Sequence, residues 1–166
     1  MASRQLKCVA AVAALTLNGS VALASPPVNF SGEGLVKADL NQSVRINDER
    51  IKFQTKDPTD TYEVKLVWGA NSSSGWHHHP GMVLVQVQSG LVDVTRVING
   101  QCVTTQYGVG SPNGSTFTEG ETEHVGTSAA GAVAYATAIV GNDDPARIED
   151  DPPACATGPG IRMPKK

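Results

Sequence analysis

Hydrophobic and polar residues alternate through most of the middle of the chain. In TYEVKLVW (61–68), Tyr62, Val64, Leu66 and Trp68 are set against Glu63, Lys65 and Val67, and just before it Ile51, Phe53 and Thr55 are set against Lys52, Gln54 and Lys56. A period of two is the signature of a strand with one face buried. The same reading applies to 82–88 (MVLVQVQ), with Val83, Val85 and Val87 inward and Gln86 and Gln88 outward, and to 91–98 and 102–107. In 131–140, Val133, Tyr135, Thr137 and Ile139 lie on one face and alanines on the other. Residues 44–54 are expected to form one or two strands, and 115–125 one or two short strands around Glu119-Gly120. Turn residues punctuate these segments: Asp57-Pro58-Thr59-Asp60, the small-residue stretch 69–75, Ser89-Gly90, Asn99-Gly100 and 108–114. Asn-Gly between alternating strands is a tight hairpin signal. No useful length repeats with a helical period. Many short strands at near-regular spacing predict an all-β sandwich or barrel.

The chemistry concentrates in Gly75-Trp76-His77-His78-His79-Pro80-Gly81. The chain has four histidines, three of them here and the last at His124. Neutral imidazole is the commonest metal ligand in proteins. If the strand pleat runs back from Val83 through this stretch, His77 and His79 share the valine face and His78 points out. Two imidazoles would then enter one cavity, and His124 is the remaining histidine able to join them.

Composition narrows the partners. The chain has 166 residues, a net charge of −3 and 17% charged residues, which fits one domain and gives no basic surface for nucleic acid. Arg4 and Lys7 precede an apolar run from 8 to 17, and Ala22-Leu23-Ala24 supplies small residues at a cleavage site. This predicts a signal peptide over 1–24, a mature chain from Ser25 and a secreted or periplasmic product with no membrane partner after cleavage. Export leaves Cys102 and Cys155 as an even pair in an oxidising compartment, expected as a disulfide. Two free thiols are the alternative until a Cα–Cα distance decides. The expected division is an extended N-terminal arm over 25–43, a barrel over 44–140 and an irregular tail over 141–166.

Two stretches also follow a familiar order. His77-x-His79-Pro80-Gly81 leads into the valine-rich strand and Gly90; later, Phe117-Thr118-Glu119-Gly120-Glu121-Thr122-Glu123-His124 puts a glycine four residues before a lone histidine, with Ser128 beyond it. Together they resemble the two motifs of the cupins, and most nearly the small single-domain exported bacterial type-2 members. The resemblance covers about 44–140 and implies a cupin jelly-roll barrel, or double-stranded β-helix. It also implies a divalent transition metal (Fe, Zn, Ni, Cu or Mn) held by His77, His79 and His124. The family's first motif has a glutamate where this chain has Val83, and its second has an asparagine where this chain has Ser128. A site lacking that carboxylate would be one negative charge poorer, similar to thiol-oxidising cupins that bind iron through three histidines. The other reading is a decayed site in a barrel that only binds a ligand.

Four further residues carry weighed roles. Tyr135 is a candidate catalytic residue if it faces the interior, and core packing otherwise. Glu121 and Glu123 flank His124 out of phase with it, which suits a solvated rim. Trp76 is out of phase with the histidines and a candidate cover for the neighbouring sheet or contact in a homodimer. Two function classes follow. One is a metal-dependent enzyme (oxygenase, isomerase or lyase) acting on a small molecule; the other is a non-catalytic module that binds a small ligand or metal.

Overall fold

The alternating segments close into a barrel. A computed structural model describes residues 25–156; the expected signal peptide, 1–24, lies outside the described residues. Strand β1 (Val28–Leu40) is followed by a small hairpin of β2 (Arg45–Asn47) and β3 (Lys52–Gln54). The long β4 (Thr59–Ser73) leads to the two-residue β5 (His77–His78) and the longer β6 (Met82–Ile98). Then come β7 (Gln101–Gly108), β8 (Thr116–Glu119), β9 (His124–Ser128), β10 (Ala132–Gly141) and β11 (Ile148–Glu149). The sole helical element among the described residues is a 3-10 turn, Ala154–Ala156, so none is long and apolar enough to cross a membrane.

Pairing shows why two strands are long. Strand β4 pairs with β10 along Thr59 to Trp68, then reaches β9 through Ser72 and Ser73. Strand β6 pairs with β10 and β8 in its first half, and with β7 and β9 in its second. The circuit β4–β10–β6–β9 returns to β4, which closes an all-β jelly-roll barrel. Closure leaves no free edge in that circuit. β1 is added outside it, antiparallel to β4.

Three local expectations change. Residues 69–75 were expected as a loop, but β4 continues to Ser73, because its end must reach β9. Ser89-Gly90 is a bend within one strand and not a turn between two. Gly90 has φ 77° and a Cβ there would sit 2.2 Å from the Gly131 carbonyl oxygen, so glycine lets β6 pass from one partner set to the other. The N-terminal segment is extended as expected, yet Val28–Leu40 is a wall strand, whereas the β2–β3 hairpin forms a separate two-stranded sheet. Asn99 and Gly100, at φ 51° and 75°, form the expected two-residue hairpin between β6 and β7.

The pleat sets the core. Val83, Val85 and Val87 face Ala134, Ala136 and Ala138 across the β6–β10 ladder, with Trp68 and Phe117 beside them, all buried. Each valine contributes roughly 1.5–3 kcal/mol by leaving water. A second, smaller cluster joins Trp76, Val125 and Ala156, so Trp76 is filled by the tail of its own chain. A disulfide joins Cys102 on β7 to Cys155, with Cα atoms 5.5 Å apart. It pins the tail beside that cluster and suits an oxidising compartment.

Candidate metal centre

The site is assembled by strand register. His77 on β5 pairs directly with His124 on β9, and His79 follows two residues after His77 on the same buried side. His78 lies between them and points away, half-buried, with its Nδ1 donating to Asp150 at 2.8 Å. The three ring centroids are 4.3–5.1 Å apart. Thus the expected trio converges.

A fourth member was not expected. Strand β8 pairs with β6 so that Glu119 is opposite Val83. Cross-strand partners put their side chains on one face, so Glu119 enters the cavity beside the valine that stands where the resemblance calls for glutamate. The carboxylate is therefore supplied by the neighbouring strand, and the site is not one charge poorer. Glu119 also shares its phase with buried Phe117, two residues before it. That parity was the available signal; only the pairing shows which barrel level it reaches. Ligand atoms of His77, His79, Glu119 and His124 all lie within 4.8 Å of one another.

Protonation is settled by the outer contacts. His77 Nδ1 donates to the Gly75 carbonyl at 2.8 Å, His124 Nδ1 to Thr122 at 2.6 Å and His79 Nδ1 to Ala146 at 2.6 Å. A carbonyl oxygen can only accept, so each Nδ1 carries the proton and each neutral ring presents a lone pair at Nε2. His79 and His124 Nε2 stand 3.3 Å from the two Glu119 oxygens. His124 Nε2 is buried and makes no aligned hydrogen bond. Lone pairs meeting a carboxylate repel unless a cation lies among them. Burial pushes the His77 imidazole down to about 2, so it stays neutral at ordinary pH. Three neutral imidazoles and an ionised carboxylate, with imidazole protons anchored on backbone carbonyls, fit a divalent transition metal.

A cavity of about 340 Å³ opens over this group. His77, His79, Val83 and Glu119 form its buried floor, and the exposed Pro27, Ser31 and Gly32 mark its mouth. Tyr135, the candidate catalytic residue, is not part of it. The buried positions of β10 are its alanines and Val140, so Tyr135 is on the outer face between Lys65 and Gln86. The parity that puts small residues inside makes room for the cavity and turns the tyrosine out. Glu121 and Glu123 are exposed, as a rim requires. Arg147 lines the cavity from the tail, but Glu149 grips its guanidinium at 2.6 and 2.9 Å and the Ser74 carbonyl accepts a third bond.

No family model matches the chain, and no curated protein does. Solved structures do match. An oxalate oxidase in complex with the substrate analogue glycolate is 12% identical with a TM-score of 0.44, over 53% of this chain and 45% of that one. A point variant of oxalate decarboxylase from Bacillus subtilis is 12% identical with a TM-score of 0.46, over 71% of this chain and 34% of that one. A protein of unknown function from Streptococcus pyogenes is 17% identical with a TM-score of 0.41, over 63% of this chain and 79% of that one. The chain thus spans less than half the length of the two enzymes. The barrel assignment stands on the strand pairings themselves.

Proposed function

We propose that this chain is an exported cupin-type barrel that holds one divalent transition metal through His77, His79, His124 and Glu119 and uses it on a small organic molecule bound in the cavity above. The observation that carries this is the set of three Nδ1–carbonyl anchors, which leaves three Nε2 lone pairs facing one buried carboxylate. Such an arrangement is costly without a cation and pre-organised with one. A bound metal of this class supplies Lewis acidity and, for Fe, Mn or Cu, electron transfer. Fe, Mn, Zn, Ni and Cu all suit mixed nitrogen and carboxylate donors. The signal-like segment 1–24 and the disulfide both support work outside the cytoplasm.

The chain's residues set limits on the reaction. Apart from His77, His79 and Glu119, the titratable side chain lining the cavity among the described residues is Arg147, already paired with Glu149. Among the described residues the wall offers no free acid or base, so on this reading oxygenase, isomerase or lyase chemistry rests on the metal. The same observation favours a second reading, a barrel that binds its ligand without turning it over. Elemental analysis of oxidised protein from an exporting host, with oxygen-uptake and ligand screens, separates the two. Stoichiometric Fe, Mn or Cu with substrate-dependent turnover supports the enzyme. Stoichiometric metal and ligand binding without turnover supports the binding module. Protein that takes up no metal at neutral pH refutes the metal enzyme and leaves only the ligand-binding barrel, which a failed ligand screen then refutes.

A further inference from the structure

We propose that the cavity selects a ligand with one anionic oxygen head and an apolar body, such as a medium-chain or aromatic monocarboxylate, and rejects one with a second charge at the far end. This rests on the metal reading above. The floor determines the head. Three neutral imidazoles and one carboxylate leave a divalent ion with one net positive charge, which a single anionic oxygen complements.

The walls determine the body. Above the floor the cavity is lined by Phe30 of β1, Val64, Leu66 and Trp68 of β4, and Ala136 and Ala138 of β10. The Phe30 and Trp68 rings lie 4.9 Å apart, and Trp68 Nε1 donates to the Gly126 carbonyl, so it presents carbon to the cavity. Ser74 is spoken for in the same way, since its hydroxyl donates to the Gly75 carbonyl and accepts from Gly126 N–H. Ser31 lies at the exposed mouth. Among the described residues Arg147 is the one cationic side chain on the lining, and Glu149 neutralises it. A second carboxylate against this wall would lose its water and find no partner. A volume of about 340 Å³ is at the small end for small-molecule sites, which suits one ring or a short chain.

The test uses zinc-loaded protein and three acids sharing one head group: acetate, hexanoate and adipate. Each buried methylene is worth about fourfold in affinity, so hexanoate is expected to bind at least tenfold tighter than acetate. Adipate, which places a carboxylate at the far end of the same chain, is expected to bind at least tenfold more weakly than hexanoate. Ala136→Leu fills the wall away from the ligand atoms. It should erase the advantage of hexanoate while zinc stoichiometry and acetate affinity stay as in the wild type. Should that variant fail to fold, Ala136→Val is expected to lose part of the advantage. Zinc bound with equal affinity for all three acids overturns this inference and leaves the metal site standing. Hexanoate binding that is indifferent to both substitutions does the same. Absence of zinc binding overturns the metal site and this inference together.

Discussion

His124 and His79 are held in different ways. His124 is fixed by the barrel: β9 pairs it with His77 across a ladder and with Arg96 of β6, and its ring is anchored two residues back at Thr122. His77 has the same local anchor at Gly75. His79 depends on a distant part of the chain. Its hydrogen-bond acceptor is Ala146, just before β11, which pairs with β5 through Ile148 and Glu149. Asp150 N–H donates to Trp76, and a disulfide ties the tail down at Cys155. Two ligand rings are therefore oriented by neighbours in sequence, and one by a tail that is held by two residue pairs, a few hydrogen bonds and a cross-link. Ligands set by register should fail only when removed. The ligand set by the tail should also fail when the tail is loosened.

Removing a ligand should produce the largest effect. His124→Ala is expected to abolish stoichiometric metal after dialysis against a weak chelator, and Glu119→Gln to weaken retention at least as much as the roughly 10–100-fold typical of an outer-shell loss. His78→Ala should keep its metal, because His78 faces Asp150 and not the floor. Because Glu119 already places a carboxylate there, Val83→Glu would put a second one beside it and should not tighten binding.

Breaking the cross-link tests the tail. The bond closes a loop with a sequence separation of 53. Opening it by reduction, or by Cys102→Ser with Cys155→Ser, should cost about 3–4 kcal/mol on the chain-entropy account, on the order of 10 °C in Tm. Metal should also dissociate faster, as His79 loses its anchor. Calorimetry and metal-release rates with and without reductant measure both. An unchanged release rate despite a lowered Tm would show that Ala146 holds His79 without help from the bond.

Acid should act through the floor. His77 titrates near 6.5 when unfolded and near 2 when folded. The unfolded chain then binds a proton that the native state resists, so this contribution is complete above 6.5 and declines as pH falls from 6.5 toward 2. The urea midpoint of metal-free protein should therefore drop between about pH 7 and about pH 5, and less so in His77→Asn. Protons also compete with metal for the lone pairs, but His77 resists protonation when folded, so its share of the affinity should fall only well below about pH 5. The smallest effect is expected from Asp150→Asn. It weakens a partly exposed contact with His78, so stability should change by under about 1 kcal/mol and metal content not at all.

Strand content, and the parity that puts His77, His79 and the valines on one side, were legible because the pleat repeats every two residues and burial enforces it. The hairpin at Asn99-Gly100 was legible because few residues accept two successive positive φ angles. Pairing was not legible. Tyr135 was a candidate because its strand could be read, but periodicity alone does not say which face of that strand is inside; the alanines won because the cavity needs small side chains there. The continuity of β6 through Gly90 was hidden for a related reason, since the same glycine serves a turn or a bend.

The sequence by itself therefore determined which residues alternate, which could ligate a metal and which cysteines could pair, all properties of near neighbours and residue chemistry. Only the tertiary structure decided that Glu119 stands beside Val83, that Ala146 orients His79 and that Arg147 is spent on Glu149. The first two join residues separated by several strands, and the third depends on which way a tail is folded back. Register between distant strands is set by closing the whole barrel, and no local stretch of sequence contains that condition.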